Sequence, residues 1–440
     1  MLRAALLAAL VWVAAGCATY TDQMLRANQA ALAGDYPSSV AAVDSMLGVS
    51  SAEQLPAKWS ADTSLWTLER GVLQQAVESY PGSARDLSAA EQNVELLDLS
   101  TDPIGVLGGY IYSDSTKPYK APPSERLSLN AVNLLNYLAQ GNLDGAAVEA
   151  RRFQTMREFL ESQRIDDPRV AAFGAYLAGF VFDRKGEPDR ALRYYDEALS
   201  AGPLPSLAAP VARLARIAPY RGRNLNSFLR VGAGAASTEK SEILVVLSYG
   251  RVPVKVPQRI PVGAAVALVG AAATNNADWL ARGAGKVVVY PELVPVQNTL
   301  GPPSVRVDGR EVPLDRLADL DEAIRREYEA MKPKILAAAL TRMAARAGVA
   351  EGVRAAGNQQ SNELGAVLGL LVEGTMVALD RPDTRSWTML PARIAVARVP
   401  ISPGSHRVEV NFPGGPPAAR AATVNVGAES FAAVVVTEPR

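Results

Sequence analysis

Catalysis and metal binding draw on a short list of side chains, and this chain holds few of them. In 440 residues there is one cysteine, Cys17, and one histidine, His406. A zinc or other transition-metal centre built from those ligands is all but excluded. A disulfide within the chain is impossible, and a Ser or Cys nucleophile needing an imidazole base would have to use His406. That residue lies in Pro403-Gly404-Ser405-His406-Arg407-Val408, where a strand begins, and is expected to be a turn residue with satisfied partners. Paired carboxylates remain as a route to general acid–base work, such as glycan or peptide hydrolysis. Glu125, Glu292 and Asp383 are available, but their spacing singles out no pair. Glu149-Ala150-Arg151-Arg152 suits recognition better. On a helix Glu149 and Arg152 are three apart and can pair, with Arg151 on another face. The two guanidinium groups could clamp a partner carboxylate, or the triplet could tie one helix to the next. No cofactor, no metal and no enzymatic reaction are expected.

The elements that would carry these residues divide the chain in two. Hydrophobic residues make up 48% of the sequence, enough for real cores in a chain of two or three domains. Lys+Arg and Asp+Glu number 45 each, so no basic excess points to nucleic acid. From Thr21 to about Arg230 the text is helical, rich in Ala, Leu, Arg and Glu, with apolar residues at three- and four-residue intervals. Its clearest unit is Ala172 to Pro205. There Gly179, Phe182, Ala191, Tyr195, Ala198 and Pro203 carry the small, large, small, large, small and Pro pattern of a tetratricopeptide repeat. Small Gly179 and Ala191 let two antiparallel helices touch, and Phe182 and Tyr195 fill the space beside them. Gly186 should end the first helix and Asp189 can cap the second. Leu127 to Leu160 is a more degenerate unit, with Ala150 where a large residue is expected and Phe153 where a small one is. Gly71, Ser83 and Ala90 repeat the spacing, and Gly34-Asp35-Tyr36 marks another turn. Three or four stacked hairpins are predicted, with Thr101 to Pro123 as a long irregular loop.

After a linker at residues 231–241, centred on Gly232 to Thr238, the pattern changes to an α+β domain over 242–440. Glu242 to Ser248, Lys286 to Tyr290, and Ser304 to Val307 with its Asp308-Gly309 turn read as strands. Val262 to Ala273 is read as core, being too short to span a membrane. A helical insert is expected at 315–380. Its first stripe is Leu317, Leu320, Ile324, Tyr328 and Met331, with Asp321/Arg325 and Glu322/Arg326 pairs and a kink or restart at Pro333. Leu364 to Leu379 is strongly apolar, with Gly365, Gly369 and Gly374 at close-packing intervals. It reads as a helix buried in its own domain; insertion into a membrane, as part of a pore or secretion assembly, is the alternative. Strands from Arg393 onward, mostly antiparallel, close the chain.

Three resemblances add to this. Arg3 followed by the apolar run Ala4 to Ala15 and small residues before Cys17 looks like the signal and lipobox of bacterial lipoproteins. The resemblance implies removal of residues 1–16 and a diacylglycerol on Cys17. Ala18 rather than Asp after it implies sorting to the outer membrane, facing the periplasm. Further along, several motifs resemble an uncharacterised family of repeat-containing proteobacterial lipoproteins. They are Tyr119 with Glu125-Arg126; Asn136-Tyr137-Leu138-Ala139; Val148-Glu149-Ala150-Arg151-Arg152; Gly250 to Lys255 with Arg259-Ile260-Pro261; and Asp383 to Trp387 with Leu390-Pro391. The Pro403-Gly404-x-His406-x-Val408-x-Val410 run resembles the hairpin of PEGA-type β-modules. The family likeness implies a TPR-like helical domain over 17–230, a β-containing second half, and a role beside cell-wall synthase activators or other lipoproteins.

The function expected from all this is a lipid-anchored scaffold that binds a protein or peptide through its repeats. Tyr119, Glu125, Arg126, Tyr137, Glu149, Arg151 and Arg152 are the candidate contacts. A purely packed stack with no ligand is the plain alternative.

Overall fold

Helix-forming residues dominate the first half, and the computed structural model folds them into four hairpins; it describes residues 19–96, 118–163, 167–232, 241–269, 287–358, 382–415 and 420–440. After a short turn of helix, α1 (Tyr20–Gln23), the pairs are α2 (Leu25–Leu32) with α3 (Tyr36–Leu47), and α4 (Thr63–Ala76) with α5 (Tyr80–Glu91). Then come α6 (Pro123–Ala139) with α7 (Leu143–Ser162), and α8 (Pro168–Arg184) with α9 (Pro188–Ala198). Local chemistry explains the breaks. Gly34, Gly141 and Gly186 take positive φ between partners, a conformation that costs glycine least. The next helix is then capped by Asp35 on the Ser38 amide and by Asn142 on the Gly145 amide. Asp189 does not cap α9 as expected; its carboxylate accepts instead from the Tyr220 amide at 3.1 Å. Two further helices, α10 (Ala208–Leu214) and α11 (Arg223–Gly232), end this half.

The repeat residues do what their sizes predicted. A methyl group on Gly179 would collide with the ring of Tyr195. Phe182, Ala191, Tyr195 and Ala198 are buried, while Pro203 lies exposed in the loop beyond α9. In the preceding hairpin Phe153, one turn away from the usual large position, is fully buried and fills the space left by Gly174 of α8. The degenerate pattern is a displaced ring, not a missing one.

Two short strands, β1 (Glu95–Leu96) and β2 (Lys120–Ala121), pair in parallel beside this stack. The second half contributes β3 (Glu242–Arg251), β4 (Val254–Pro261), α12 (Val262–Val269), β5 (Val287–Val294), β6 (Ser304–Val307), β7 (Arg310–Val312), β8 (Asp315–Asp319), the long α13 (Leu320–Asn358), β9 (Pro391–Pro400), β10 (Gly404–Asn411), β11 (Arg420–Val426) and β12 (Phe431–Glu438). The insert thus opens with a strand, and Leu317 belongs to it; α13 starts at Leu320 and runs without a break through Pro333. Asp321 and Arg325 pair at 3.0 Å as expected. Leu364 to Leu379 and most of the 231–241 segment lie outside the described residues, as do Cys17 and most of Thr101 to Pro123.

One sheet has the order β12-β3-β9-β8 and another β11-β10-β6-β7, while β4 and β5 form a separate ribbon. All the described strand pairs in the second half are antiparallel except β12 with β3, which run parallel from Phe431 opposite Glu242 to Glu438 opposite Tyr249. Alternation along β3 decides the layering. Ile243, Val245 and Leu247 pack with Val305, Val307, Val408 and Val410 of the other sheet. Leu244 and Val246 point the opposite way and join one cluster with Leu134, Phe180 and the other inner helix residues. Every residue of β3 is buried, as a strand covered on both faces must be. The order of layers is therefore helices, sheet, sheet.

Candidate functional site

A helical hairpin has an inner and an outer helix, and burial separates them here. The first helices of three hairpins, α4, α6 and α8, are buried almost all round, whereas α5, α7 and α9 are buried on one side only. The inner helices lie against the chain's own sheet: α4 and α6 touch β12, and α8 touches β8. Concave faces are where such stacks ordinarily take ligands. In this protein the inner side of the helices is covered by the chain's own sheet, and Glu69, Glu125, Asp383 and Arg398 line the seam.

Three of the motif segments meet there. The segment Asp383 to Met389 crosses the seam as an extended run and turn, and it receives a carboxylate from each neighbouring helix. Glu69 of α4 is fully buried and accepts from the Thr388 amide (2.7 Å), the Met389 amide (2.7 Å), the Thr388 hydroxyl (2.8 Å) and the Tyr20 hydroxyl (3.0 Å). Glu125, at the start of α6, accepts from the Trp387 amide at 3.3 Å and from the Tyr119 hydroxyl. Arg385 holds Asp383 at 2.7 Å and reaches Asp62 at 3.4 Å. The Lys255 ammonium of β4 donates to the Arg385 carbonyl at 3.2 Å. Arg251, at the end of β3, donates to Asn28 of α2 at 2.6 Å. Glu327 of α13 accepts from the Ser124 amide at 3.0 Å.

Burial sets the electrostatics. It pushes the Glu69 acid up to about 7 against the pull of its four donors, and raises Glu125 although Lys255 and Tyr119 oppose it. Glu327 also rises to about 7, through burial, with Glu125 adding to the push. Asp383 goes the other way, because the Arg385 guanidinium outweighs its desolvation. Arg251 falls to about 10, again through burial, with Glu69 resisting.

A second knot sits further along the seam. Arg398 of β9, almost wholly buried, donates to Glu242 of β3 at 2.7 and 2.8 Å, to the Tyr195 hydroxyl at 2.7 Å and to Asp183 of α8 at 3.1 Å. Its guanidinium also stacks 4.9 Å from the Phe180 ring centre. Desolvation works against its charge, but Glu242, Tyr195 and Asp183 hold the pKa well above the ordinary arginine value. The last strand is fastened the same way: Glu438 accepts from Tyr36 and pairs with Arg420 at 2.7 Å, and the Thr437 hydroxyl donates to Gln75 at 2.7 Å.

The arrangement fastens layers together. Both oxygens of Glu69 are taken up by donors of the chain itself, and two of those donors are backbone amides. Among the described residues no group of three His, Asp or Glu could hold a metal ion. A hollow of about 510 Å³ runs along α11, lined by Arg223, Asn226, Ser227, Leu229 and Arg230, away from the seam.

The predicted contact residues split in two. Tyr119, Glu125 and Glu149 are buried and spend their polar atoms inside the chain, so they offer nothing to an outside carboxylate. Glu149 accepts from Arg152 at 2.9 Å and from Asn130 at 3.1 Å, and burial raises its acid. Arg126 pairs with Glu91 at 3.3 Å, tying α6 to α5, and the ring of Tyr137 packs over Gly145. Arg151 and Arg152 are exposed on α7, and Arg152 bridges Glu149 and Glu91. Of the three candidate acids, Glu125 and Asp383 come together at the seam; Glu292 pairs with Lys332 at 2.9 Å on the β4–β5 ribbon. His406 bonds to Asp308 and to the Ser402 carbonyl, both at 2.8 Å. Glu69, Glu327, Asp183 and Arg398 carried no spacing that set them apart. The one signal was a charge inside a run apolar on both sides, as in Leu65-Trp66-Thr67-Leu68-Glu69-Arg70-Gly71-Val72-Leu73.

Comparison with known proteins adds little. No protein-family model matches the chain, and no curated sequence matches it significantly. Among solved structures, the chain is similar to the Rap conjugation gene regulator of plasmid pLS20 in complex with the Phr* peptide. The TM-score is 0.26 at 11% identity, over 82% of this chain and 76% of that one. A score that low carries no statement about fold or ligand. The protein has mixed helical and sheet structure, and no helix among the described residues is long and apolar enough to cross a membrane.

Proposed function

We propose that this protein is a lipid-anchored scaffold of the bacterial envelope, built on a degenerate tetratricopeptide-type stack that holds its own sheet in its concave face. Cys17 carries the lipid, and the mature chain faces the periplasm from the outer membrane. Partner proteins or peptides are then met by the outer helices. The observation that supports this is the free side of α7. Its inner side is buried through Ala146, Ala150 and Phe153, while Val148 and Phe159 stay 39% and 47% exposed in line with Arg151 and Thr155. Apolar groups flanked by exposed arginines suit a partner surface of mixed apolar and acidic character. The seam gives such a scaffold a firm back, since buried polar groups tie the helices to the first sheet and apolar side chains pack that sheet on the second.

Photocrosslinking from positions 148, 155 and 159 in intact envelopes should trap a discrete partner, and the same probe at exposed Arg190 on α9 should not. Crosslinks equal in pattern from both helices would remove the partner assignment. Cys17→Ala should shift the protein out of the membrane fraction or leave it unprocessed. Unchanged fractionation and processing of that variant would contradict the anchor.

A further inference from the structure

The ribbon of β4 and β5, with α12 and part of α13, forms a small core of its own. Val262 and Ala265 of α12 pack with Val288, Tyr290, Ile335, Leu336 and Ala339. Of residues 262–273, expected to be core, 270–273 lie outside the described residues, and 262–269 are buried on one side only. The other side of α12 presents Gly263, Ala264, Ala267 and Leu268 to solvent, with Leu268 55% exposed. The helix reads Val-Gly-Ala-Ala-Val-Ala-Leu-Val and has no polar residue on any face. A surface helix in water normally carries charge on its outer side.

One feature says what meets that side: the start of the described chain is fixed beside the ribbon, where the Thr21 hydroxyl donates to the Lys255 carbonyl at 2.7 Å. Cys17 is four residues before Thr21, a reach of at most about 14 Å. The strand from Lys255 to α12 spans seven residues, about 23 Å at strand rise. A lipid on Cys17 therefore holds the base of the ribbon within a short distance of the bilayer, and the ribbon is long enough to lay α12 on it.

We propose that α12 is a second membrane contact, resting its Ala264–Ala267–Leu268 side in the headgroup region of the leaflet that holds the anchor. This deepens the lipid-anchor reading and rests on it for the geometry. The contact would fix the orientation of the scaffold, turning a flexible tether into a two-point attachment.

The test uses the chain's lone thiol. Protein lacking residues 1–16 is coupled through Cys17 to a maleimide phospholipid in vesicles of phosphatidylethanolamine and phosphatidylglycerol, and in parallel to a soluble maleimide polymer. Hydrogen exchange at residues 262–269 should be at least about tenfold slower on vesicles than on the polymer. Leu268→Asp combined with Ala264→Asp, both at exposed positions and checked by thermal melt, should abolish the difference. Equal exchange on vesicles and polymer overturns the proposal. So does protection that survives the double substitution, or protection that also appears on the polymer as protein concentration rises, which would assign the patch to a second copy. Because the coupling is chemical, these outcomes do not depend on whether cells acylate Cys17; the fractionation of Cys17→Ala tests that separately.

Discussion

Replacing Glu69 with Ala tests whether the seam is a fastening. The carboxylate accepts four hydrogen bonds in a site with no solvent exposure. The hydroxyls of Tyr20 and Thr388 can rotate, and Thr388 already lies 3.4 Å from Asn28, so their loss is small. The amides of Thr388 and Met389 cannot turn, and each buried N–H without an acceptor costs about 1–3 kcal/mol. Removing a carboxylate that is itself costly to bury returns part of this, which leaves a net destabilisation of about 3 kcal/mol. At about 2.1 cal/mol/K of unfolding entropy per residue, a chain of this length loses about 3–4 °C of melting temperature. The melt should be run at pH 8 with the soluble form lacking residues 1–17, so that Glu69 is ionised in wild type. Glu69→Gln should recover little, because its amide nitrogen would face donors. Hydrogen exchange gives the local readout: amides 388 and 389 should lose protection in the alanine variant. A melting temperature within about 1 °C of wild type, with those amides still protected, would falsify the assignment.

Other consequences follow from the same contacts. Arg398→Ala leaves Glu242 with Arg184 at 3.2 Å and Asp183 with Arg213 at 2.6 Å, but it takes the guanidinium that joins them out of the buried seam and should cost about 1–3 kcal/mol. Arg398→Lys should recover only part, since a single ammonium cannot reach Glu242, Tyr195 and Asp183 together; equal stability of the lysine variant would show that the fork geometry is unimportant. Gly179→Ala should lose about 1–3 kcal/mol to crowding against Tyr195, despite the helix propensity gained. A variant as stable as wild type would mean the hairpin can open at no cost. His406 faces two acceptors, the Asp308 carboxylate and the Ser402 carbonyl, so the doubly protonated ring satisfies both. The Asp308 bond raises its pKa above 6.5, while slight burial opposes. The raised folded value means that this clip is fully formed below pH 6.5 and is lost as pH rises through the folded pKa. NMR of the lone histidine should show a midpoint above 6.5 that drops in Asp308→Asn; a midpoint at or below 6.5 in wild type refutes it.

Much of the element order could be read from local pattern. The hairpin around Gly179 and Tyr195, the capping at Asp35 and Asn142, and the Asp308-Gly309 turn depend on residues within a few positions of one another, where propensity and side-chain size decide the outcome. The fully apolar run of β3 also announced a strand covered on both faces. What it could not announce was the cover. β3 is flanked by β12, which begins 180 residues after β3 ends, and by β9, and such pairings leave no trace in local periodicity. The same limit hid the seam. Glu69 and Arg70 look like the solvated side of a helix until α4 is surrounded, and Arg398 looks like a strand's outward charge until α8 lies over it. The contact residues inferred at Tyr119, Glu125 and Glu149 went inward for this reason: their chemistry was right for binding carboxylates or amides, but the groups they bind are the chain's own.

That inward turn bears on how a repeat stack works as a scaffold. A helical solenoid with an open concave face is stabilised mainly by neighbour-to-neighbour contacts and can flex along its length. Here the inner helices α4, α6 and α8 are each held to one sheet, so a change of curvature would have to break Leu244 and Val246 from their cluster and pull Glu69 and Arg398 from their partners together. Flexing is thereby opposed by the whole seam. The docking face proposed on α7, only a short apolar row, would then stand on a background that does not yield. The two-point membrane attachment inferred at Cys17 and α12 would complete the logic, holding a stiff body in a set orientation. It follows that loosening the seam without unfolding the chain, as Tyr20→Phe or Thr388→Val should do, would weaken partner capture on α7 before it lowers protein abundance. Abundance and capture falling in parallel would show that the seam serves stability alone.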